Sequence, residues 1–501
     1  MLDFLRSAAK NSLVYGIGNL STKVIGFILL PLYTSHLTVR EYGILGLLEV
    51  SSQVLVSVFG LSLSYAFFRW YWDKEFLEMR RSIMFTCMTF LFFVCLIMVG
   101  AVIFFCRPIS ILLFDSDQYA LLIILLSISA ALQIMTSIPS SLMQLQQKSF
   151  LFSIANFIQL SISLIATIIF VATLNLNVLG IYIAQTIGAV VYFIFLANYI
   201  LENMSFTFNF PVLRGMLAVS FPLVASSIFG VLINVTDRYM LRYLGHLADV
   251  GIYSLGFKIA NTVYVFIVMS INLAIAPMLY KIMDDPNNKR VYSKVMTYAA
   301  LGVMICVIGI SFFGRELIKV LAQNPDYWNS YKIIPFVAIG IYFGMLRDIS
   351  AIGLNLTKRT SIISLIVITI SIVNITANAL LIPLFQTIGA SFASMISQFL
   401  FFLLMYLFAQ RYYFIPYEYM KLILISMIGM ITIFMGSLVQ DAQISVRILT
   451  KLCLFASFPL ILYMLKFFEP IEIDRLHGVL LKWRNPIHWK DNLGALFNKP
   501  G

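Results

Sequence analysis

Apolar residues along this chain run in blocks of about twenty, the length an α-helix needs to cross the ~30 Å hydrocarbon core of a bilayer. Such blocks fall at roughly 13–33, 43–66, 83–106, 119–140, 152–173 and 179–200. After a polar break they resume at roughly 215–235, 251–276, 294–314, 332–355, 361–382 and 387–409. Two more follow at roughly 419–439 and 446–468. The pattern predicts an all-α polytopic membrane protein of about 14 transmembrane helices.

The pattern also repeats. Ser35-His36-Leu37, followed by Tyr42-Gly43-Ile44, returns as Gly245-His246-Leu247, followed by Val250-Gly251-Ile252. Leu145-Gln146-Gln147-Lys148 is echoed by Asn355-Leu356-Thr357-Lys358, and Leu179-Gly180 by Ile388-Gly389. All these echoes share an offset of 208 to 210 residues. An even number of spans separates the copies, so both halves run the same way through the membrane, a parallel duplication of the kind transporters use. The domain reading is an N-lobe over 1–205, a C-lobe over 211–412, two further helices over 413–468 and a cytoplasmic tail over 469–501.

Composition supports the compartment. The 501 residues are 61% apolar and 11% charged, against about 25% charged in an average soluble domain. The chain therefore lacks the charge to cover a water-facing surface. Its +12 net charge would suggest nucleic acid in a soluble protein. Here it follows from loop bias: of 34 Lys and Arg, 22 fall in one alternate set of end segments and loops and seven in the other. Cytoplasmic loops are the basic ones, which places both termini in the cytoplasm and requires no nucleic acid. The first apolar run reads as a retained span because no small-residue cleavage site follows it. Trp70-Tyr71-Trp72, Tyr327-Trp328, Tyr412-Tyr413, Tyr417 and Tyr419 are expected at the membrane interfaces.

Little in the chain suggests covalent chemistry. Cys87, Cys95, Cys106, Cys306 and Cys453 form no CxxC pair, so neither a metal site nor a disulfide framework is indicated. No HExxH, P-loop, GxSxG or paired-carboxylate motif occurs, and no nucleotide-binding motif. No cofactor is expected. His36 and His246 occupy equivalent places in the repeat, which suits a role in a turn. A membrane polymerase would need a long outer loop, and no loop between spans exceeds roughly twenty residues.

The informative residues are the charges within the bilayer. A Lys or Arg at the centre of a spanning helix costs ~2.5–3.5 kcal/mol even on insertion scales, so it faces a cavity or a partner. Lys23 lies near mid-depth of the first span, on one helical face with Ser12, Gly16, Asn19 and Gly26. Ser254, Lys258 and Asn261 form a matching stripe in the eighth span. The seventh carries Asn234, Asp237, Arg238 and Arg242, and the tenth Arg347-Asp348. The expected cavity residues are therefore Lys23, Asn19, Arg238, Arg242, Lys258, Asn261 and Arg347. Glu49, Asp237 and Asp348 are their charge partners, and Arg69 is an access contact at the cytoplasmic end. Cations outnumber acids in this set, which favours an anionic substrate such as a pyrophosphate.

Two groups of segments carry a family resemblance. Asn11-Ser12-Leu13, Leu30-Pro31-Leu32-Tyr33, Glu41-Tyr42-Gly43 and Ala66-Phe67-Phe68-Arg69 resemble the polysaccharide transporter family. So do Phe221-Pro222, Asp237-Arg238-Tyr239-Met240-Leu241, Gly251-Ile252-Tyr253-Ser254 and Lys258-Ile259-Ala260. The family includes the O-antigen (Wzx-type) flippases of the multidrug/oligosaccharidyl-lipid/polysaccharide exporter (MOP) superfamily. The resemblance implies alternating access through a cationic central cavity. The cargo would be an undecaprenyl-pyrophosphate-linked oligosaccharide, moved from the cytoplasmic to the outer leaflet of a bacterial inner membrane. On it, Lys23, Arg238, Lys258 and Arg347 would hold the pyrophosphate or acidic sugars, and the last two helices would offer a lipid-tail groove. A polysaccharide polymerase and a chain-length regulator are the implied partners, besides membrane lipids. The alternatives within the superfamily are a drug or cation antiporter, marked by cavity carboxylates, and a lipid II flippase, marked by several arginines on the first two helices.

Overall fold

The computed structural model describes residues 26–273, 279, 282–283 and 285–470, and all regular structure among them is helical. The helices of the first half are α1 (Leu30–His36), α2 (Val39–Phe59), α3 (Leu63–Trp72), α4 (Arg80–Phe114), α5 (Ala120–Leu145), α6 (Ser149–Ile168) and α7 (Asn177–Glu202). Those of the second are α8 (Phe210–Leu244), α9 (Leu247–Val263), α10 (Asn288–Leu321), α11 (Ile334–Ser350), α12 (Ile352–Leu356) and α13 (Thr360–Tyr412). The chain closes with α14 (Tyr419–Leu438) and α15 (Ile444–Met464).

Among the described residues, 12 helical stretches are long and apolar enough to cross a membrane. Two observations reconcile that number with fourteen spans. The first predicted span lies mostly outside the described residues, with α1 at its described end. The 53-residue α13 is two spans in one, broken at Gln386, whose backbone turns left-handed (φ 50°). Large apolar side chains such as Phe92, Ile97 and Phe104 of α4 point outward, as they should where the solvent is lipid.

Local features of the first half return in the second at the repeat offset. The Gln386 break is the counterpart of the α6–α7 turn, where Asn177 is also left-handed (φ 48°), at the same offset that relates Gly180 to Gly389. Both glycines permit the chain to fold back closely: a Cβ at Gly389 would lie 2.2 Å from the Leu381 carbonyl oxygen. α5 and α12 end in the same turn. A left-handed residue (Gln147, φ 55°; Lys358, φ 56°) is followed by an N–H reaching five residues back, Lys148 to Met143 at 2.8 Å and Arg359 to Leu354 at 2.9 Å. This is a Schellman closure, which satisfies carbonyls that the helix end leaves open. Its geometry pairs Gln147 with Lys358, one position beyond the match read from sequence.

The halves meet on α2 and α9, which start alike. Thr38 caps α2: its Oγ1 accepts from the Glu41 N–H (3.2 Å) while its own N–H donates to Glu41 Oε2 (2.8 Å). At the equivalent start of α9 the His246 N–H donates to Asp249 Oδ2 (3.0 Å). The two histidines thus sit at turns, where His36 Nδ1 lies 3.0 Å from the Leu32 carbonyl. Five residues into each helix the backbones touch. A Cβ at Gly43 would lie 2.0 Å from the Leu247 carbonyl oxygen, and one at Gly251 2.0 Å from that of Val39. Only glycine fits both positions, as in other close helix crossings within membranes.

The aromatic residues expected at the interfaces divide. Trp72, Tyr412 and Tyr419 are exposed. Tyr71, Tyr327 and Tyr417 are buried instead. Tyr327 meets Tyr42 edge-to-face at 5.7 Å and donates to the Leu37 carbonyl (2.9 Å), so it fastens α1 and α2 to the second half. The five cysteines are free thiols.

α14 and α15 are fixed to α10 by charge as well as packing. Glu316 receives Arg447 Nε on one oxygen (2.8 Å) and faces Lys451 Nζ on the other (3.5 Å). Lys451 is fully buried and also donates to the Phe312 carbonyl (2.5 Å). At the opposite end Glu418, just before α14, holds Lys294 (2.9 Å), Lys421 (3.1 Å) and the Thr297 hydroxyl (2.8 Å).

Candidate functional site

Two adjoining chambers open along the seam of the repeats. One, of about 560 Å³, is walled by α8, α11 and α13; the other, of about 410 Å³, by α2, α5, α7 and α9. They share Gln53, Arg238, Phe257, Asn261 and Val265. Both volumes lie within the roughly 300–1,000 Å³ common for small-molecule sites.

Arg238 sits where the chambers meet. Its guanidinium lies 4.5 Å from the centre of the Phe257 ring and donates to Ser254 Oγ (3.3 Å) and the Asn234 carbonyl (3.2 Å). Among the described residues it makes no ion pair. Stacking over an aromatic face holds a guanidinium without neutralising it.

The other cavity cations have acids. Lys258 Nζ lies 3.3 Å from Glu49 Oε1 in the second chamber, so Glu49 has a cavity cation beside it. Arg347 lines the first chamber and donates twice to Asp348 Oδ1 (3.0 and 2.7 Å) and once to Gln398 Oε1 (3.1 Å). Asn272 holds the second Asp348 oxygen at 3.2 Å. Asp237, expected to partner a cation, takes neutral donors instead. Tyr253 and Ser394 each reach Oδ2 at 2.5 Å and Asn378 reaches Oδ1 at 2.9 Å. Three neutral hydrogen bonds are how this buried carboxylate is accommodated.

The remaining expected residues separate. Asn261 lines both chambers. Arg242 lines neither: its guanidinium is bound to the Leu113 carbonyl (2.5 Å) and Asp115 (2.5 Å), tying α8 to the end of α4. The cavity role expected of it gives way to a tether, because a bound guanidinium on that helix face cannot also turn inward. Arg69 is exposed on α3, 5.6 Å from the Trp70 ring centre. Lys23 and Asn19 lie outside the described residues.

The charge balance also shifts. Among the described wall residues three cations, Arg238, Lys258 and Arg347, meet two acids, Glu49 and Asp237, and Asp348 neutralises Arg347 from behind. The described walls therefore carry one more cation than acid, and Asp348 offsets that one from outside them. Sequence reasoning missed the carboxamides, Gln53, Gln133, Gln185 and Gln398, that line the same walls. Gln133 is the lone amide of the apolar run at 119–140, and that isolation was the available signal.

Comparisons place this geometry among known proteins. The structure is similar to the lipid II flippase MurJ in an inward closed conformation (TM-score 0.73, 16% identity, covering 91% of this chain and 100% of that one). It is also similar to an inward-facing multidrug resistance MATE family transporter of the MOP superfamily (TM-score 0.66, 11% identity, 80% and 97%). A Vibrio cholerae MATE transporter, VcmN, aligns with a TM-score of 0.54 at 14% identity (81% and 97%). At such identities the agreement is one of fold. No curated protein matches the sequence. The family described as "Polysaccharide biosynthesis protein" matches residues 8–283, more than half of the chain. With that match on a MOP-type fold, the chain belongs to the polysaccharide biosynthesis protein family.

Proposed function

We propose that this protein flips a polyprenyl-pyrophosphate-linked oligosaccharide, the repeat unit of an O-antigen or other surface polysaccharide, from the cytoplasmic to the outer leaflet of a bacterial inner membrane. The observation that carries the reading is the polar two-chambered cavity at the seam of the repeats, with Arg238 at its junction making no ion pair among the described residues. Membership of a polysaccharide biosynthesis family supports a lipid-linked sugar as cargo.

The mechanism follows from the cargo's two characters. A pyrophosphate and its sugars lose their hydration in hydrocarbon and cannot cross it unaided. The polyprenyl tail need never leave it. A cleft that opens sideways to lipid carries the headgroup while the tail stays outside, in the groove we assign to the helices of 413–468. The lobes 1–205 and 211–412 rock against each other about the α2–α9 contact, a rigid-body exchange of the open face. In this scheme Arg238 and Lys23 hold the pyrophosphate, and Asn19, Asn261, Lys258 and Arg347 complete the wall. Arg69 receives the cargo at the cytoplasmic end, where both termini lie. No bond is made or broken and no cofactor is used. A polymerase with its chain-length regulator would consume the product and so help to set the direction.

The test is export in cells that depend on this protein. Lys258→Ala and Lys23→Ala should each leave the protein inserted at normal abundance and stop surface polysaccharide export. For Lys258 the reason is that Glu49 would then face the phosphate unneutralised. Normal surface polysaccharide in both variants would refute the cavity assignment.

A further inference from the structure

In the chamber walls, among the described residues, two of the three cations are committed to acids, while four carboxamides of the second chamber are not bonded. Lys258 is paired with Glu49 and Arg347 with Asp348. By contrast Gln53, Gln133 and Gln185 are exposed in the second chamber, and with Asn261 they make no side-chain hydrogen bond among the described residues. They come from four different helices, α2, α5, α7 and α9, and converge on one space. Each carboxamide offers two N–H donors and a carbonyl acceptor. That is the complement of a hydroxyl group, which both gives and takes a hydrogen bond. Phe266, about two-fifths exposed, lines the same chamber. Amides around an apolar ring face suit the polar rim and C–H face of a sugar.

We infer that the second chamber selects uncharged sugars, so that the glycan this protein moves is built of neutral residues, with the pyrophosphate left to Arg238. The inference rests on the flippase reading and names its cargo more narrowly. An acidic sugar in the second chamber would bring a carboxylate beside Glu49, whose neighbouring cation, Lys258, is already paired. A like charge beside a carboxylate whose cation is already paired is disfavoured. Selection of this kind is sharp, because a site built from hydrogen-bonding groups discriminates through the partners it would leave unpaired.

The experiment uses the full chain reconstituted in liposomes. Two polyprenyl-pyrophosphate probes carry the same fluorophore-labelled neutral trisaccharide, one of them extended by a single uronic acid. Transfer between leaflets is read as fluorescence lost to a membrane-impermeant reductant. The expected result is transfer of the neutral probe at least tenfold faster than the acidic one. The double variant Gln133→Leu/Gln185→Leu should slow the neutral probe about tenfold. Equal or faster transfer of the acidic probe by the unaltered protein would overturn the inference and leave the flippase reading standing. Transfer of neither probe would overturn the flippase reading itself. The comparison of probes needs no variant, so a double variant that fails to fold does not blunt it.

Discussion

Gly43 and Gly251, 208 residues apart, occupy each other's missing side-chain space: each would drive a Cβ to within 2.0 Å of a carbonyl oxygen on the opposite helix. The carbonyls concerned, Leu247 and Val39, are themselves equivalent in the repeat. The contact is therefore its own image under the internal symmetry, and it marks where the two halves pivot or part.

Gly43→Ala or Gly251→Ala must separate α2 from α9, since the clash is with backbone that cannot rotate away. Overpacking a tight contact costs about 1–3 kcal/mol. Each variant should lower the unfolding temperature in detergent by several degrees. The same change at Gly100 or Gly302, where a Cβ meets nothing within 4 Å, should leave it unmoved. Equal effects at all four sites would remove the symmetry contact from the account.

The Lys258–Glu49 pair predicts non-additivity. Its side chains are 27% and 40% exposed, so water screens it in part, and its coupling should be modest, about 1 kcal/mol. Lys258→Met and Glu49→Gln should each destabilise the protein, and the double variant should be less destabilised than the two effects combined. A strictly additive double-mutant cycle would mean that the two groups act separately.

Glu316 faces Arg447 and the fully buried Lys451 at once. Glu316→Gln leaves both cations without their acid, and breaking a buried pair costs about 3–5 kcal/mol. The prediction is loss of α14–α15 docking, read as rapid proteolysis within 419–464. Adding Lys451→Met should restore part of the protection, because one of the stranded charges is then gone.

Glu418 gives a pH dependence at the other end of these helices. Burial alone would raise its pKa, but donation from Lys294, Thr297 and Lys421 outweighs that and holds the carboxyl below its ordinary value. A carboxyl depressed in the folded state adds stability above its unfolded pKa and loses it as pH falls through the folded one. Acidification below the usual carboxylate range, about 4.3 for Glu, should therefore loosen α14 in the unaltered protein. Glu418→Gln should be weaker at neutral pH and show less of this acid step. An unchanged acid step in the variant would assign it to other groups.

Much of the fold was legible because hydrophobic length and repeat spacing are properties of sequence. The break at Gln386 could be anticipated from its place between two apolar runs, and the duplication from Gly43-Ile44 and Gly251-Ile252. The site was less legible, for two physical reasons. Charge in an apolar run flags cost without naming the partner, so Arg242 read as a cavity residue although Asp115 and a carbonyl bind it on another face. Neutral amides carry no formal charge and so do not stand out in a reading built on charge, and Gln53, Gln133 and Gln185 were passed over. Tyr327 and Tyr417 read as interface aromatics because sequence does not distinguish a ring facing headgroups from one turned into the core.

The central claim is that a headgroup passes through the chambers joined at Arg238. Its most direct test is the leaflet-transfer rate of a pyrophosphate-linked neutral oligosaccharide in liposomes holding either the unaltered protein or Arg238→Gln. Glutamine keeps a hydrogen-bonding side chain and removes the positive charge. The account predicts at least a tenfold loss of transfer with an unchanged unfolding temperature. Transfer at the unaltered rate by a folded Arg238→Gln protein would contradict it.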